Sequence, residues 1–435
     1  MAMKESFSSV AASAATTTFG FAALGFMQFR IGADLGITLV KGIVFSFLCV
    51  MVFLPAFTLV ARKLVDKSQH RRFMPTFANI GRGLKPLRIP VFALVILLIL
   101  PCTLAQGSTL FTYGMGSSEG SPTRTARDAE AIEAVYGKET PLVILVPNAS
   151  MGEEARLVRE IEAIPQVTSV LSYTTAVGAG IPAGFLDESV VSQFKSDDYT
   201  RIVAYTDMPR EGDESFGVVN EIRALANSVC GEGVLVAGEP ANLYDMKVVT
   251  ASDSRITNAI AILAILIVLL ATFRSVLLPI VLIATIESAI MINLSVPYFT
   301  GDSLNYLGFL VINTVQLGAT VDYAILFTDT YRRYRKSMPV NEALFKTCGS
   351  TFKSILVSAS ILALAGCVLW LTSTNNIVSI LGLLLFRGTL LSLFLVVTFL
   401  PAALRIFDKL IAKTTWRADF YEPPRSAAVI DKELP

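Results

Sequence analysis

The chain has 435 residues, of which 53% are hydrophobic and only 16% charged, with a mean hydropathy of +0.61. That charge content is well below the roughly 25% of ordinary soluble domains, and the apolar surface is more than one globular core could hide. The net charge of +1 sums acidic and basic regions that lie apart, and no Lys/Arg tract with interleaved aromatics points to a nucleic-acid partner.

In chain order, the first candidate span covers about 8–27, SSVAASAATTTFGFAALGFM, whose small residues suit a helix packed against other helices. A second, more apolar one covers 35–60. The connection from Arg62 to Arg88 holds Arg62, Lys63, Lys67, Arg71, Arg72, Arg82, Lys85 and Arg88 against one acid, Asp66. The single histidine, His70, sits in this basic stretch and reads as a solvated loop residue. A span at 88–106 follows, and then a polar, acidic region from 108 to 252.

Within that region LVILVP (142–147), VTSVLSYTT (167–175), RIVAYTD (201–207) and VLVAGEP (234–240) read as strands. EEARLVREIEAI (153–164) and ESFGVVNEIRALANSV (214–229) have the 3.6-residue periodicity of amphipathic helices. Two β-α-β units at this spacing predict a small α+β, ferredoxin-like domain. Five more spans follow at 255–273, 276–297, 306–328, 354–372 and 377–404, and the chain ends in a polar tail.

The fold class expected is therefore a membrane α-helical bundle of about eight transmembrane helices with one extracytoplasmic domain. Arg332, Arg333, Arg335 and Lys336 in a later loop, and Arg405, Lys409 and Lys413 after the last span, place those sides in the cytoplasm with the 62–87 linker. FRIGAD, YFTGDSLNY and TSTNN, nearly free of positive charge, fall on the other side. Eight spans then alternate consistently in the cell membrane, both termini are cytoplasmic, and 108–252 lies outside.

Sliding the chain on itself by 346 positions brings FLPA at 53–56 onto FLPA at 399–402. Gly20, Leu35, Gly36, Leu39, Gly42, Ser46 and Val50 fall on Gly366, Leu381, Gly382, Leu385, Gly388, Ser392 and Val396, and Ser8, Lys63 and Leu64 on Ser354, Lys409 and Leu410. Internal repeats are a recurring feature of transporter folds. Residues 1–61 then read as the last two helices of a first repeat. Residues 88–107 open a second repeat, and 253–404 supply its other five helices before the tail, 405–435. This arrangement predicts the trailing part of a two-repeat protein of about twelve spans, with the missing N-terminal half as a partner.

The sixth span, LGFLVINTVQLGATVDYAILFTDTYRRYR, contains Asp322 well inside it. A charge there costs about 2.5–3.5 kcal/mol on the insertion scale, so an intramembrane acid is a candidate functional group by default. It reads as a carboxyl that takes up and releases a proton, against the plainer alternative of a structural acid paired with a cation. Asp322 shares a helical face with Val315, Gly318 and Ala319, whose small members let another helix approach, and Tyr323 lies beside it. Asn313, Gln316 and Thr320 add a polar stripe. Three more charges reach similar depth: Glu287, and the repeat-related Lys41 and Arg387. These are candidate intramembrane charge partners, the two bases either pairing with acids or anchoring interhelical hydrogen bonds. Gly42 and Gly388, one residue after each base, read as packing positions.

QLGATVDYAILFTDTYRRYR resembles the helix of MMPL-type transporters of the RND superfamily that bears an Asp-Tyr pair. The repeat, the βαβ domain after the first span of a six-span unit and the FLPA helix end resemble that family too, so the likeness covers all but the tail. It implies a porter-type external domain and export of lipids or other hydrophobic molecules driven by the proton-motive force. Asp322 would accept the proton and Tyr323 would be its hydrogen-bonding neighbour, with protons, the bilayer and a lipidic substrate as partners. The first-repeat pair would precede residue 1. A SecDF-like protein-translocation accessory shares six-span units with an external domain, and a non-transporting remnant or subunit of a split transporter is a third reading.

Enzyme chemistry is not expected. The external region has no histidine for a Ser-His-Asp triad, no phosphate-binding G-x-x-x-x-G-K-[ST] motif occurs, and the five scattered cysteines form neither a disulfide framework nor a metal site. No cofactor is implied.

Overall fold

The computed structural model describes residues 2–67, 80–114, 124–147, 149–178, 180–181, 183–416 and 418–421. His70, Arg71 and Arg72 of the basic linker, and the tail beyond 421, lie outside the described residues. The chain divides into two compact units, Met1–Phe111 with Ser252–Pro435, and Thr112–Ala251.

The elements run as follows. Helix α1 is Ala2–Ala22, extended by a 3-10 turn at Ala23–Phe26, and α2 is Arg30–Leu48. A π-turn at Cys49–Phe53 joins α2 to α3, Leu54–Val60. Short helices α4 (Arg62–Lys67) and α5 (Ile80–Leu84) precede α6, Arg88–Gly107. Then come β1 (Phe111–Thr112), α7 (Arg124–Tyr136), β2 (Thr140–Pro147), α8 (Met151–Glu162), β3 (Val167–Leu171), α9 (Glu188–Val191), β4 (Tyr199–Thr206), α10 (Asp213–Cys230) and β5 (Leu235–Ala237). The chain continues through α11 (Glu239–Phe273), α12 (Leu277–Thr300), β6 (Leu304–Asn305), α13 (Tyr306–Arg335), α14 (Val340–Thr372), α15 (Asn376–Ile406) and α16 (Asp408–Thr414).

Among the described residues seven helices are long and apolar enough to cross a membrane, the first being the continuous Arg30–Val60 rod. The eighth expected span is helix α1, whose apolar part, Val10–Phe26, is shorter than the other seven. The helix ends follow from local chemistry. Gly301 closes α12 in the left-handed conformation at φ 76°, which a residue without Cβ adopts without strain. The Asn305 side chain accepts from the Leu307 N–H to start α13, and Asn375 accepts from Ile377 and Val378 to start α15. The FLPA prolines differ in consequence. The π-turn lies just before Pro55, where a proline cannot donate to the preceding turn, whereas α15 continues through Pro401.

Burial within this unit is uneven. The α12 and α13 windows are mostly buried, with Leu282, Ile286, Leu317 and Phe327 fully enclosed, while none of the most apolar window of Arg30–Val60 is buried within the chain. The repeat is visible in the packing. A Cβ at Gly36 would stand 3.0 Å from Leu24 Cβ and from the Phe21 carbonyl, and one at Gly382 would meet Trp370 N at 2.5 Å and Gly366 O at 2.7 Å. Both hairpins therefore close on the same glycine of the repeat.

The second unit has the chain order β-α-β-β-α-β from β2 to β5, and its sheet runs β3-β4-β2-β5 with every pair antiparallel. Alternation along β2 and β4 buries Leu142, Ile144, Val146, Ile202 and Ala204 on one face, where Leu157 and Ile161 of α8 and Val219 and Ile222 of α10 cover them. The four strands and two helices expected from the sequence are present. β3 ends at Leu171 rather than 175, because Thr174–Gly178 turns into a π-helix, and α7 had no counterpart in the sequence reading.

Helix α8 begins with a capping box in which the Ser150 side chain accepts from Glu153 N–H and the Glu153 carboxylate accepts from Ser150 N–H. Those bonds to the charged form hold the Glu153 carboxyl below the usual glutamate range. Next to it, Glu154 is fully buried; its Oε1 accepts from Thr174 N–H at 2.9 Å, and Oε2 has only a 3.8 Å ion pair to Lys195. Replacing Glu154 by alanine strands the Thr174 donor. Thermal unfolding of the whole protein is expected to show a loss of about 1–3 kcal/mol, the cost of an unsatisfied buried group.

Candidate functional site

Helix α13 owes its place to its mixed character. Its polar stripe cannot face lipid without cost, and the structure buries it: Gln316 and Thr320 are fully enclosed and Asn313 nearly so. Asp322 stands near the midpoint of this 30-residue helix. Its residue is half-buried, and its Oδ1 is shielded from solvent with no hydrogen-bond partner. The Ser13 hydroxyl of α1 is its polar neighbour. Among the described residues no ion pair includes Asp322.

The close approach expected at the small residues is made by α1. Thr17 Oγ1 donates to the Gly318 carbonyl at 3.0 Å, and a Cβ on Gly20 would lie 3.6 Å from the Gly318 Cα. A Cβ on Gly318 would sit 3.1 Å from the Phe21 ring, so the glycine lets α1 bring Ser13 up to the acid. Tyr323 is 4% exposed, and Ser358 of α14 is the polar neighbour of its hydroxyl. Asp322 and Tyr323 thus touch different neighbouring helices.

The other three charges do not join them. Arg387 donates through Nε to Asn293 Oδ1 at 2.7 Å and through Nη2 to the Asn293 carbonyl at 2.8 Å. Of the two roles open to it from sequence, it takes the interhelical hydrogen bond. The Asn293 Nδ2 in turn donates to Gln316 Oε1 and to the Leu384 carbonyl, each at 2.9 Å. The Gln316 Nε2 donates to the Gly388 carbonyl at 3.1 Å and to Ser392 Oγ at 3.3 Å. This network ties α12, α13 and α15 together, and a Cβ at Gly388 would fall 2.2 Å from Gln316 Oε1. The packing role read for Gly388 is therefore present, whereas a Cβ at its repeat mate Gly42 would meet nothing within 4 Å. Lys41 is exposed on α2. Glu287 is half-buried on α12 with Oε1 shielded and unbonded, and no cation among the described residues pairs with it.

Sequence reasoning missed Asn293, Ser13 and Thr17. An amide inside IMINLSVP is a signal of the same kind as Gln316, fainter than the charges in the neighbouring spans. It also missed a cluster at the far end of α13. Asp408 accepts from Tyr331 Oη at 2.5 Å and from Arg335 Nε at 3.1 Å, and its other oxygen accepts from Arg335 Nη2 at 3.0 Å. Arg335 Nη1 donates to the Tyr421 and Met338 carbonyls, and its guanidinium lies 5.2 Å from the centre of the Phe420 ring. No group of metal-ligating side chains occurs among the described residues.

Residues 1–83 and 125–421 match the family model described as the MMPL family. The chain is 26% identical over 387 residues to SCO0839, a Streptomyces coelicolor protein assigned to the membrane, a match covering 83% of the chain and 52% of that protein. Two others from the same organism, also assigned to the membrane, are similar. ActII-3 is 27% identical over 48% of the chain and 30% of its own length, and SCO5905 is 24% identical over 66% and 35%. The chain spans about half the length of the curated relatives it matches, or less. A family match over most of the residues, on a chain with seven membrane-length apolar helices, decides the assignment: the chain belongs to the MMPL family, whose members are RND-type membrane transporters rather than enzymes.

Proposed function

We propose that the chain forms the trailing portion of a proton-motive-force-driven exporter of lipids or other hydrophobic molecules, with Asp322 as the proton carrier. The observation behind this reading is a carboxyl at mid-helix whose Oδ1 is shielded and unbonded and which no described cation neutralises. An acid so placed is costly when ionised and has an alternative in protonation. Ser13 on α1 stands beside Asp322, and Ser358 on α14 beside Tyr323, so the pair has a hydroxyl neighbour on each of two other helices. Gain and loss of the proton would then shift α13 against its neighbours. One proton crossing the membrane yields about 2.3 kcal/mol per 100 mV, so several per cycle suffice to bias a helix-packing equilibrium.

The basic ends of α13 and α15 and the Arg62–Arg88 linker support a cytoplasmic location for those sides. The Thr112–Ala251 unit then lies outside the cytoplasm as a porter-type domain, and its β-α-β-β-α-β order with an antiparallel sheet fits a ferredoxin-like fold.

The test is Asp322→Asn in proteoliposomes carrying the protein, with lipid efflux followed under an imposed pH gradient. Substrate movement is expected to fall at least tenfold, with Asp322→Glu retaining part of it. Undiminished gradient-driven transport by Asp322→Asn would remove this reading.

A further inference from the structure

Arg387 is an intramembrane cation whose hydrogen bonds go to neutral groups; Asp302, in the loop after α12, is an electrostatic neighbour but forms no ion pair with it. Its Nε and Nη2 are fixed on Asn293, and among the described residues Nη1 has no hydrogen-bond partner and no carboxylate forms an ion pair with the guanidinium. At about 1.5 Å per residue, Arg387 lies about 16 Å along α15 from its Asn376 end, well within a helix that crosses the membrane. Two amide acceptors satisfy donors, but they leave the positive charge in place, and such a charge inside the bilayer is costly.

The support behind it is built in depth. Asn293 and Gln316 are fully buried, and every hydrogen bond from the guanidinium to Ser392 runs donor to acceptor in one direction. Gly388 supplies the space for Gln316, since a Cβ there would overlap its side chain. This network fixes one edge of the guanidinium and leaves Nη1, among the described residues, without a hydrogen-bond partner; a guanidinium is the group best matched to phosphate and carboxylate oxygens.

The surroundings say what kind of anion it is. Leu390 and Phe394, three and seven residues on and so on the same face of α15, are 43% and 48% exposed. A ligand with its head on Arg387 has an apolar track about 10 Å long beside its tail. A free anion has no use for such a track.

We infer that Arg387, positioned by Asn293 and Gln316, is a binding site within the membrane for the anionic head of an amphiphile, whose chain lies along Leu390 and Phe394. As a statement about cargo this rests on the exporter reading, and as a statement about binding it stands alone.

The experiment uses the full chain in nanodiscs, comparing binding of fluorescent phosphatidylglycerol with phosphatidylcholine. The expected result is a preference for phosphatidylglycerol that Arg387→Gln lowers at least tenfold and Arg387→Lys lowers less. A photo-crosslinking residue placed at Leu390, with Arg387 intact, is expected to capture phosphatidylglycerol over phosphatidylcholine, which tests the site even if Arg387→Gln fails to fold. Equal capture of both lipids, unchanged affinity in a folded Arg387→Gln, or displacement of the lipid by millimolar inorganic phosphate would overturn the inference. Loss of lipid binding with transport by Asp322→Asn intact would keep the site and remove only the exporter reading.

Discussion

Asp408→Ala is expected to destabilise the membrane unit by about 3–5 kcal/mol, the usual cost of removing one partner of a buried ion pair. Asp408 is 6% exposed and Arg335 8%, so the guanidinium left behind cannot recover its lost bonds from water. It keeps the Tyr421 and Met338 carbonyls and the Phe420 ring, which satisfy donors without cancelling charge. Tyr331, fully buried, loses the acceptor for its hydroxyl at the same time. Thermal unfolding in detergent measures the loss. Tyr331→Phe removes only the neutral donor and is expected to cost about 1 kcal/mol. The double variant Arg335→Met with Asp408→Leu takes away both charges and is expected to recover most of the stability. A single Asp408→Ala within experimental error of wild type would mean that the pair is solvated and the cluster is not a fastening.

That cluster also marks a limit of reading the chain as a string. Arg335 was legible as one of several bases at a helix end, which is enough for orientation, because the positive-inside bias acts through charge alone. Its partner is 73 residues away, in a short helix beyond the last span, and no local pattern links them. The spans themselves were legible because about 20 apolar residues in a row have few other uses in a folded protein. The strands of the second unit were legible because β2 and β4 alternate strictly between buried and less buried positions. At the candidate site the individual costs could be read and the pairings could not. Asp322, Glu287 and Arg387 stand out because each is a charge in an apolar helix, but Arg387 turned out to bond an amide on α12, and Ser13 came to Asp322 from the segment with the weakest span signal. Small residues made α1 hard to recognise as a span, and the same small residues let it approach α13 at Gly318.

Gly382→Ala is expected to cost about 2 kcal/mol or more, overpacking that the helix-propensity gain of alanine does not offset. The new methyl group would meet Trp370 N at 2.5 Å, Gly366 O at 2.7 Å and Leu369 Cβ at 2.8 Å. Two of these are backbone atoms, which no change of rotamer can move, so α14 and α15 must separate along their whole contact. The reciprocal position behaves alike: a Cβ on Gly366 would meet Phe386 N at 2.7 Å and Gly382 O at 2.8 Å. Since either substitution forces the same separation, the double variant is expected to cost less than the sum of the singles. The repeat supplies graded controls. Gly36→Ala faces its nearest contacts at 3.0 Å and is expected to lose less than Gly382→Ala, while Gly42→Ala meets open space and is expected to gain up to about 1 kcal/mol from helix propensity. Thermal unfolding of the three single variants should therefore rank Gly382→Ala lowest, Gly36→Ala next and Gly42→Ala at or above wild type. Equal losses at Gly382 and Gly36 would mean that the two hairpins close equally tightly. The α14–α15 contact would then not be the tighter crossing from which α15 presents Arg387.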